Sequence, residues 1–175
     1  MTRFLIFAGV AAIAIAGVVA VLAFRRGQPA RTPIHLGTPV EGAIQKSEAE
    51  WRASLSDIQF RVMRQRETER SFSGTNWNNH EEGDYRCFGC GQILFDSSTK
   101  FDSGTGWPSF WKPKDAEAIS QYEDRDGFGL RVEVTCSRCD GHLGHVFDDG
   151  PAPTGQRYCI NDCTLKFVPK QPPTK

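Results

Sequence analysis

The chain has 175 residues, a length that fits one domain with an appendage. Its 21 Lys and Arg residues balance its 21 Asp and Glu residues, so the formal net charge is zero. This balance argues against the basic surface of a nucleic-acid-binding protein and against an acidic solvating tail, so no nucleic-acid partner is expected.

The chain begins with an apolar segment. Residues 4–24 carry no charge over 21 positions, and a hydrocarbon core requires about 20. Arg3 precedes the segment, and Arg25 and Arg26 follow it. A cleaved signal peptide has a shorter apolar core of about 7–15 residues. We therefore predict one uncleaved transmembrane helix within residues 1–26 and a single-pass membrane protein. The flanking charges differ by only about one, so both orientations of the following domain stay open.

A linker and two short helices are predicted next. Residues 27–46 are rich in Pro, Gly and Thr and show no sustained periodicity, which is typical of a linker. Ser47 and Glu50 have the spacing of a capping box, in which a hydroxyl and a carboxylate satisfy backbone amides at a helix start. A second helical stretch begins at Ser56 and runs to about Arg66.

The pattern then changes to short strands. Residues 130–134 alternate apolar and charged side chains, which predicts a half-buried strand. Residues 159–160 and 165–168 are also predicted strands. Short strands at close spacing, separated by glycines, indicate antiparallel sheets. The sequence therefore predicts a mainly β domain over residues 47–169, followed by a C-terminal tail of residues 170–175.

Four of the six cysteines form two Cys-x-x-Cys pairs, Cys87 with Cys90 and Cys136 with Cys139. Two intervening residues allow both sulfurs of a pair to point into one tetrahedron, and four thiolates close the coordination shell of a structural Zn²⁺. One zinc ion per chain is therefore predicted. Three alternatives remain: a disulfide framework, thioredoxin-like redox pairs, and His142 or His145 in place of one cysteine ligand.

Cys159 lies outside these pairs. Arg157 and Asn161 stand two residues to either side of it, so in a strand they share its face and favour a thiolate. Upstream, His142 and His145 offer imidazoles suited to general acid catalysis near neutral pH. A cysteine and a histidine that meet in space are the usual mark of an activated thiol. The alternative is an inert thiol in a β-strand.

Three segments resemble the B-type peptide-methionine (R)-S-oxide reductases. They are residues 100–110 (KFDSGTGWPSF), 142–151 (HLGHVFDDGP) and 153–161 (PTGQRYCIN). The resemblance extends over about residues 47–169 and includes the four zinc-site cysteines. It implies a fold of two packed antiparallel β-sheets with short N-terminal helices. It also implies reduction of (R)-methionine sulfoxide in peptides or proteins, and hence repair of oxidised proteins.

The resemblance assigns the chemistry to matching residues. Cys159 would be the nucleophile and would become a sulfenic acid. His145 would be the acid that protonates the sulfoxide oxygen, helped by His142 and Asn161. Methionine would leave as the product.

The resemblance also implies a substrate pocket and shows one departure. Trp107 would form an apolar wall for the substrate methyl group, and Asp149 and Arg157 would surround the thiolate with polar groups. Thr105 stands where many family members have a second cysteine that resolves the sulfenic acid. Cys163 is a possible substitute, and direct reduction by thioredoxin or another thiol is the alternative.

Two further classes of protein compete with the reductase. A zinc-containing interaction module would have the same fold and an inert Cys159. A zinc hydrolase or deaminase would need an open metal position and a Glu beside a ligand, and a four-cysteine site offers neither.

Overall fold

The computed structural model of the chain describes residues 31–39, 41–126 and 129–170. The predicted membrane span at residues 4–24 and residues 171–175 of the predicted tail lie outside the described residues. In the part that is described, no helix has the length and apolar character to cross a membrane.

Two helices and ten strands form the described part of the chain. The helices are α1 (Glu48–Ser54) and α2 (Asp57–Gln65). The strands are β1 (Pro33–His35), β2 (Gly83–Cys87), β3 (Ile93–Asp96), β4 (Lys100–Phe101), β5 (Ser109–Phe110), β6 (Ile119–Asp126), β7 (Gly129–Cys136), β8 (His142–Phe147), β9 (Arg157–Ile160) and β10 (Leu165–Pro169).

Both helices begin with a capping box. The Ser47 hydroxyl accepts from the Glu50 amide, and the Glu50 carboxylate accepts from the Ser47 amide at 2.7 Å, as the spacing predicted. Ser56 and Gln59 form a second box, which the sequence analysis did not anticipate. Arg66 ends α2 in the left-handed conformation, close to the predicted end. The apolar faces of both helices pack into the hydrophobic core.

The strands form two antiparallel sheets. The larger has the order β1-β6-β7-β8-β9-β5-β4, and the smaller has the order β10-β2-β3. Aromatic side chains join them: Phe95 of β3 stacks on Phe110 of β5 with ring centroids 4.3 Å apart, and Tyr85 of β2 meets Phe110 edge-on at 5.0 Å. The predicted architecture of two packed antiparallel sheets with short N-terminal helices is confirmed.

The predicted linker over residues 27–46 needs correction in its described part. Strand β1 pairs antiparallel with β6 at the edge of the larger sheet. Arg31 forms an ion pair with Glu133 at 3.2 Å, and the Ile44 amide donates to the Arg138 carbonyl at 2.7 Å. A three-residue strand is too short to show a periodicity, and its pairing comes from a distant part of the chain.

Strand β7 is confirmed where residues 130–134 predicted it, but its burial does not follow the alternation of apolar and charged residues at every position. Leu130 is 57% exposed, whereas Glu133 is only 2% exposed. Arg31 and Arg66 neutralise the Glu133 carboxylate at 3.2 and 3.3 Å. A buried charge persists when it is paired in this way, and the alternating pattern of the strand does not reveal such partners.

Candidate active site and metal centre

The two Cys-x-x-Cys pairs occupy matching turns. In the first, the Gly91 amide donates to the Cys87 carbonyl at 2.8 Å; in the second, the Asp140 amide donates to the Cys136 carbonyl at 2.8 Å. The residue after each pair is left-handed, with φ +79° at Gly91 and +53° at Asp140. Glycine adopts this conformation without steric cost, and at the second turn the Asp140 side chain tolerates it.

The four sulfurs of these turns converge. All lie within 4.8 Å of one another, with Cys87 3.6 Å from Cys139 and Cys90 3.5 Å from Cys136. Four thiolates at about 2.3 Å from a tetrahedral metal would be about 3.8 Å apart. Each of these cysteines is free of a disulfide, and the separations exceed an S–S bond. The quartet fits a metal ion with a closed coordination shell.

Cys159 lies on an inner strand of the larger sheet. On β9 it pairs in register with His145 of β8 on one side and with Ser109 of β5 on the other. Its half-buried sulfur lies 3.9 Å from the Thr105 hydroxyl and borders a pocket. The pocket is lined by Thr68, Trp107, Arg131, Gly144, His145, Phe147, Cys159 and Asn161.

The surroundings of the Cys159 sulfur push its ionisation in two directions. Burial raises the pKa of the thiol, and the Arg157 charge together with contacts from Thr105 and Ser109 lowers it by less, so the pKa stays above its usual value. Asp149 holds the Arg157 guanidinium through two bonds of 2.8 and 2.9 Å. Arg157 and Asp149 thus lie close to Cys159, and the net effect of these surroundings disfavours the thiolate.

His145 is held by residues that the sequence analysis missed. Its Nε2 lies 2.8 Å from Oδ2 of Asp124 on β6, and Arg131 on β7 lies 3.2 Å from the same oxygen. Burial lowers the pKa of His145, and the bond to Asp124 opposes this effect. Asp124 and Arg131 pair in register, so a register for the β6–β7 hairpin would have been the signal that brings them together.

His142 is separated from the pocket. Its Nδ1 lies 2.8 Å from Glu133, and the residue is 2% exposed. The metal cluster found among the described residues consists of four cysteines, so His142 is not among its ligands. The rings of His142 and His145 meet edge-on with centroids 5.4 Å apart, so His142 contacts the pocket histidine without lining the pocket itself.

Asn161 lines the pocket, and its side-chain amide already forms hydrogen bonds with backbone groups. Its Oδ1 accepts from the Glu69 amide at 3.0 Å, and its Nδ2 donates to the Leu143 carbonyl at 2.9 Å. One hydrogen of the amide group remains for a ligand or the thiolate. Asn161 therefore lines the pocket that contains Cys159, and its two bonds to the backbone give it a structural role.

Cys163 lies in a 3-10 turn, Asp162–Thr164, and does not line the pocket that contains Cys159. The Glu69 carboxylate accepts from the Cys163 amide at 3.0 Å. Burial, together with the negative charge of Glu69, raises the pKa of the Cys163 thiol far above its usual value. This environment opposes formation of the thiolate that a resolving cysteine needs.

Comparisons with known proteins agree with this arrangement. The SelR domain family matches residues 55–169, more than half of the chain. The peptide methionine sulfoxide reductase MsrB of Thiobacillus denitrificans is 54% identical over 125 residues, which cover 71% of this chain and 95% of that protein. That of Hahella chejuensis is 53% identical over 124 residues (71% and 89%), and that of Methanosarcina mazei is 52% identical over 131 residues (75% and 94%). The chain therefore belongs to the B-type peptide-methionine (R)-S-oxide reductases, enzymes that reduce methionine sulfoxide.

Proposed function

We propose that the Cys159 thiolate attacks the sulfur of (R)-methionine sulfoxide in peptides and proteins. The observation that carries this proposal is the position of the sulfur, which borders the pocket together with His145 and Trp107. The substrate sulfur gains two electrons and leaves as methionine. The Cys159 sulfur loses two electrons, takes the oxygen and becomes a sulfenic acid.

His145 donates a proton to the sulfoxide oxygen as the bond between sulfur and oxygen weakens. Trp107 and Phe147 supply the apolar wall for the methyl and methylene groups of the substrate. Arg157 stabilises the thiolate once it forms, because its charge lowers the pKa of Cys159. The pocket thus presents polar groups to the oxygen and apolar groups to the carbon atoms, as a sulfoxide requires.

The sulfenic acid is reduced by an external thiol such as thioredoxin or a small thiol. One external thiol condenses with the sulfenic acid, releasing water and leaving a mixed disulfide, and a second thiol releases Cys159. Two features support this route over Cys163: the raised pKa of that thiol and its place outside the pocket. Thr105, by contrast, is in contact with the Cys159 sulfur.

Thr105→Cys tests this assignment. A cysteine at this position is expected to trap the sulfenic acid as an internal disulfide after one turnover, and mass spectrometry of the oxidised protein measures it. Wild-type protein treated identically should yield a sulfenic acid or a mixed disulfide. An internal Cys159–Cys163 disulfide in the wild type would instead make Cys163 the resolving thiol.

The four-cysteine quartet holds a structural zinc ion. The sulfur separations and the all-thiolate donor set suit Zn²⁺, and four protein ligands leave no open position for a substrate. When bound, the ion joins the β2–β3 turn to the β7–β8 turn. It contributes stability and does not take part in the reaction.

The N-terminal segment anchors the protein in a membrane. Residues 4–24 have the length and apolar character for one span, which supports this proposal from the sequence. The enzyme then repairs oxidised proteins at a membrane surface. Alkaline extraction of expressing cells tests this: the full chain should stay in the membrane pellet and a variant lacking residues 1–26 should not, whereas extraction of the full chain would reject the anchor.

The central test uses the full-length protein with each epimer of dabsyl-methionine sulfoxide and excess dithiothreitol. We expect turnover of the R epimer alone, its loss in Cys159→Ser, and its retention in Cys163→Ser. Absence of turnover in a folded, metal-containing protein would reject the proposal. It would leave an interaction module with an inert Cys159.

A further inference from the structure

A carboxylate outside the three family-like segments touches the imidazole of the pocket. Asp124 on β6 lies two strands away from His145 on β8, yet its Oδ2 is 2.8 Å from the His145 Nε2. Arg131, on the intervening strand β7, binds the same oxygen at 3.2 Å and pairs with Asp124 in register. One oxygen of the Asp124 carboxylate therefore contacts both a cation and the imidazole.

The chemistry of this contact determines which ring nitrogen can react. A carboxylate paired with an arginine accepts hydrogen bonds and does not donate, so the proton must reside on the His145 Nε2. The proton for the sulfoxide oxygen must then leave from Nδ1 of the doubly protonated ring, and its loss leaves the Nε2-protonated tautomer bonded to Asp124. A carboxylate that fixes the tautomer and orientation of an imidazole has this effect in hydrolytic triads as well.

We infer that Asp124 is a positioning residue, which sets the tautomer and orientation of His145 for proton transfer to the sulfoxide oxygen. This inference rests on the proposed role of His145 as the acid. Asp124 does not line the pocket, so it acts through the imidazole and not on the substrate.

Other charged groups around His145 do not replace Asp124. They are Arg131 and Glu133 from β7, His142 from its own strand β8, and Cys159 from β9. Arg131 and His142 oppose a positive charge on His145, and Glu133 bonds the ring of His142 instead. Among the carboxylates of the described residues, Asp124 is thus the one within hydrogen-bond distance of His145. Its negative charge favours the protonated imidazole that an acid needs.

Asp124→Asn is the test of this inference. The variant keeps the size of the side chain but removes its charge and offers either an oxygen or an amino group to Nε2. We expect the single-turnover rate of methionine formation to fall about 10- to 100-fold, part of the roughly 10²–10⁴ usually supplied by an acid. The loss should appear in kcat more than in KM. Asp124→Glu should restore part of the rate, which separates positioning from misfolding.

Glu123→Gln is the matched control. Glu123 is the neighbouring residue of β6, is 39% exposed in its side chain, and pairs only loosely with Arg125 at 3.7 Å. This variant should keep the wild-type rate. In a His145→Asn background, Asp124→Asn should add less than about a twofold loss, because the two residues act as one unit.

A readout without turnover comes from ¹⁵N NMR of the His145 ring in the free enzyme. We expect the Nε2-protonated tautomer in the wild type, mixed tautomers in Asp124→Asn, and titration of the ring at lower pH in that variant. A wild-type rate in His145→Asn would reject the proposed acid. A wild-type rate in Asp124→Asn alone, an equal loss in the His145→Asn background, or an unchanged tautomer would reject the positioning inference.

Discussion

The cysteine quartet and the Cys159 pocket place sulfur in opposite settings. Each half of the quartet is a short turn with its own backbone hydrogen bond, so residue spacing alone aims both sulfurs at one point. The pocket is assembled across strands: Cys159 on β9 pairs in register with His145 on β8, and Asp124 on β6 bonds the His145 ring. Local geometry builds the cysteine quartet, whereas sheet register builds the Cys159 pocket.

The largest effect is expected at Cys159, where chemistry and stability should separate. Cys159→Ser removes the nucleophile, and we expect the rate of R-epimer reduction to fall by at least about 10³-fold. The half-buried sulfur lies 3.9 Å from the Thr105 hydroxyl, and serine is close to cysteine in size, so the melting temperature should stay unchanged. The dabsyl assay and calorimetry measure the two quantities on one sample. A melting temperature that falls with the activity would contradict this separation.

Loss of a metal ligand should have the opposite pattern and lower the stability of the fold. Cys136→Ser removes one thiolate from a buried site that joins two distant turns. Structural zinc contributes about 10–16 kcal/mol in small zinc domains, so we expect loss of several kcal/mol and of bound metal here. Metal analysis and thermal unfolding with and without a chelator measure this. A chelated protein that keeps its melting temperature would show that the quartet does not stabilise the fold.

A third prediction concerns Glu133, which ties the segment around Arg31 to the larger sheet. Glu133→Gln leaves the Arg31 and Arg66 charges without their buried partner, which typically costs about 3–5 kcal/mol. Glu123→Gln, at an exposed pair, should cost less than about 1 kcal/mol. Urea unfolding of the two variants gives the comparison. Equal losses would show that the Glu133 pairs contribute no more than a surface contact.

The ionisation of the Glu133 carboxyl group makes the stability difference between wild type and Glu133→Gln depend on pH. Burial raises the pKa of Glu133, but the bond from His142 and the charges of Arg66 and Arg31 outweigh it and hold the pKa below its ordinary value of 4.5. A lowered folded pKa contributes stability that is present above the ordinary pKa and is lost as the pH falls through the folded one. The difference in free energy of unfolding between wild type and Glu133→Gln should therefore shrink at acidic pH.

Sequence reasoning worked where neighbours along the chain determine the structure. The capping box of Ser47, the two metal-binding turns and the strand that carries Cys159 all follow from spacings of a few residues. The resemblance then added Trp107 and His145 to the pocket, and both lie there.

Reasoning from the sequence failed where a residue depends on a partner far along the chain. Glu133 is buried in a strand whose alternation predicts exposure, because two arginines from other segments pair with it. Asp124 belongs to no motif, and only the register of β6, β7 and β8 brings it to His145. Strand β1 lies in a Pro- and Gly-rich segment whose pairing partner is β6.

The smallest expected effect concerns the charge next to Cys159. Arg157 lowers the pKa of the thiol, although burial keeps that pKa above its usual value. Arg157→Gln should therefore raise the pKa further and slow alkylation by iodoacetamide about 3- to 10-fold at about pH 8, where the thiolate is the reactive form. The effect is modest because Asp149 already shares the guanidinium charge through two hydrogen bonds.

The pH profile of alkylation identifies the cause of this change. At pH values above the pKa of Cys159 in both the wild type and Arg157→Gln, the two alkylation rates should converge, since the intrinsic reactivity of the sulfur is unchanged. Arg157→Lys should restore much of the wild-type pH profile. Arg125→Gln, which removes an exposed arginine on β6, should leave the profile unaltered. If the rate of the Arg157→Gln variant stays low even in strong alkali, Arg157 controls access to the pocket. In that case the shape of the Arg157 side chain would govern the reactivity of Cys159, and its charge would contribute less than its contact with the sulfur suggests.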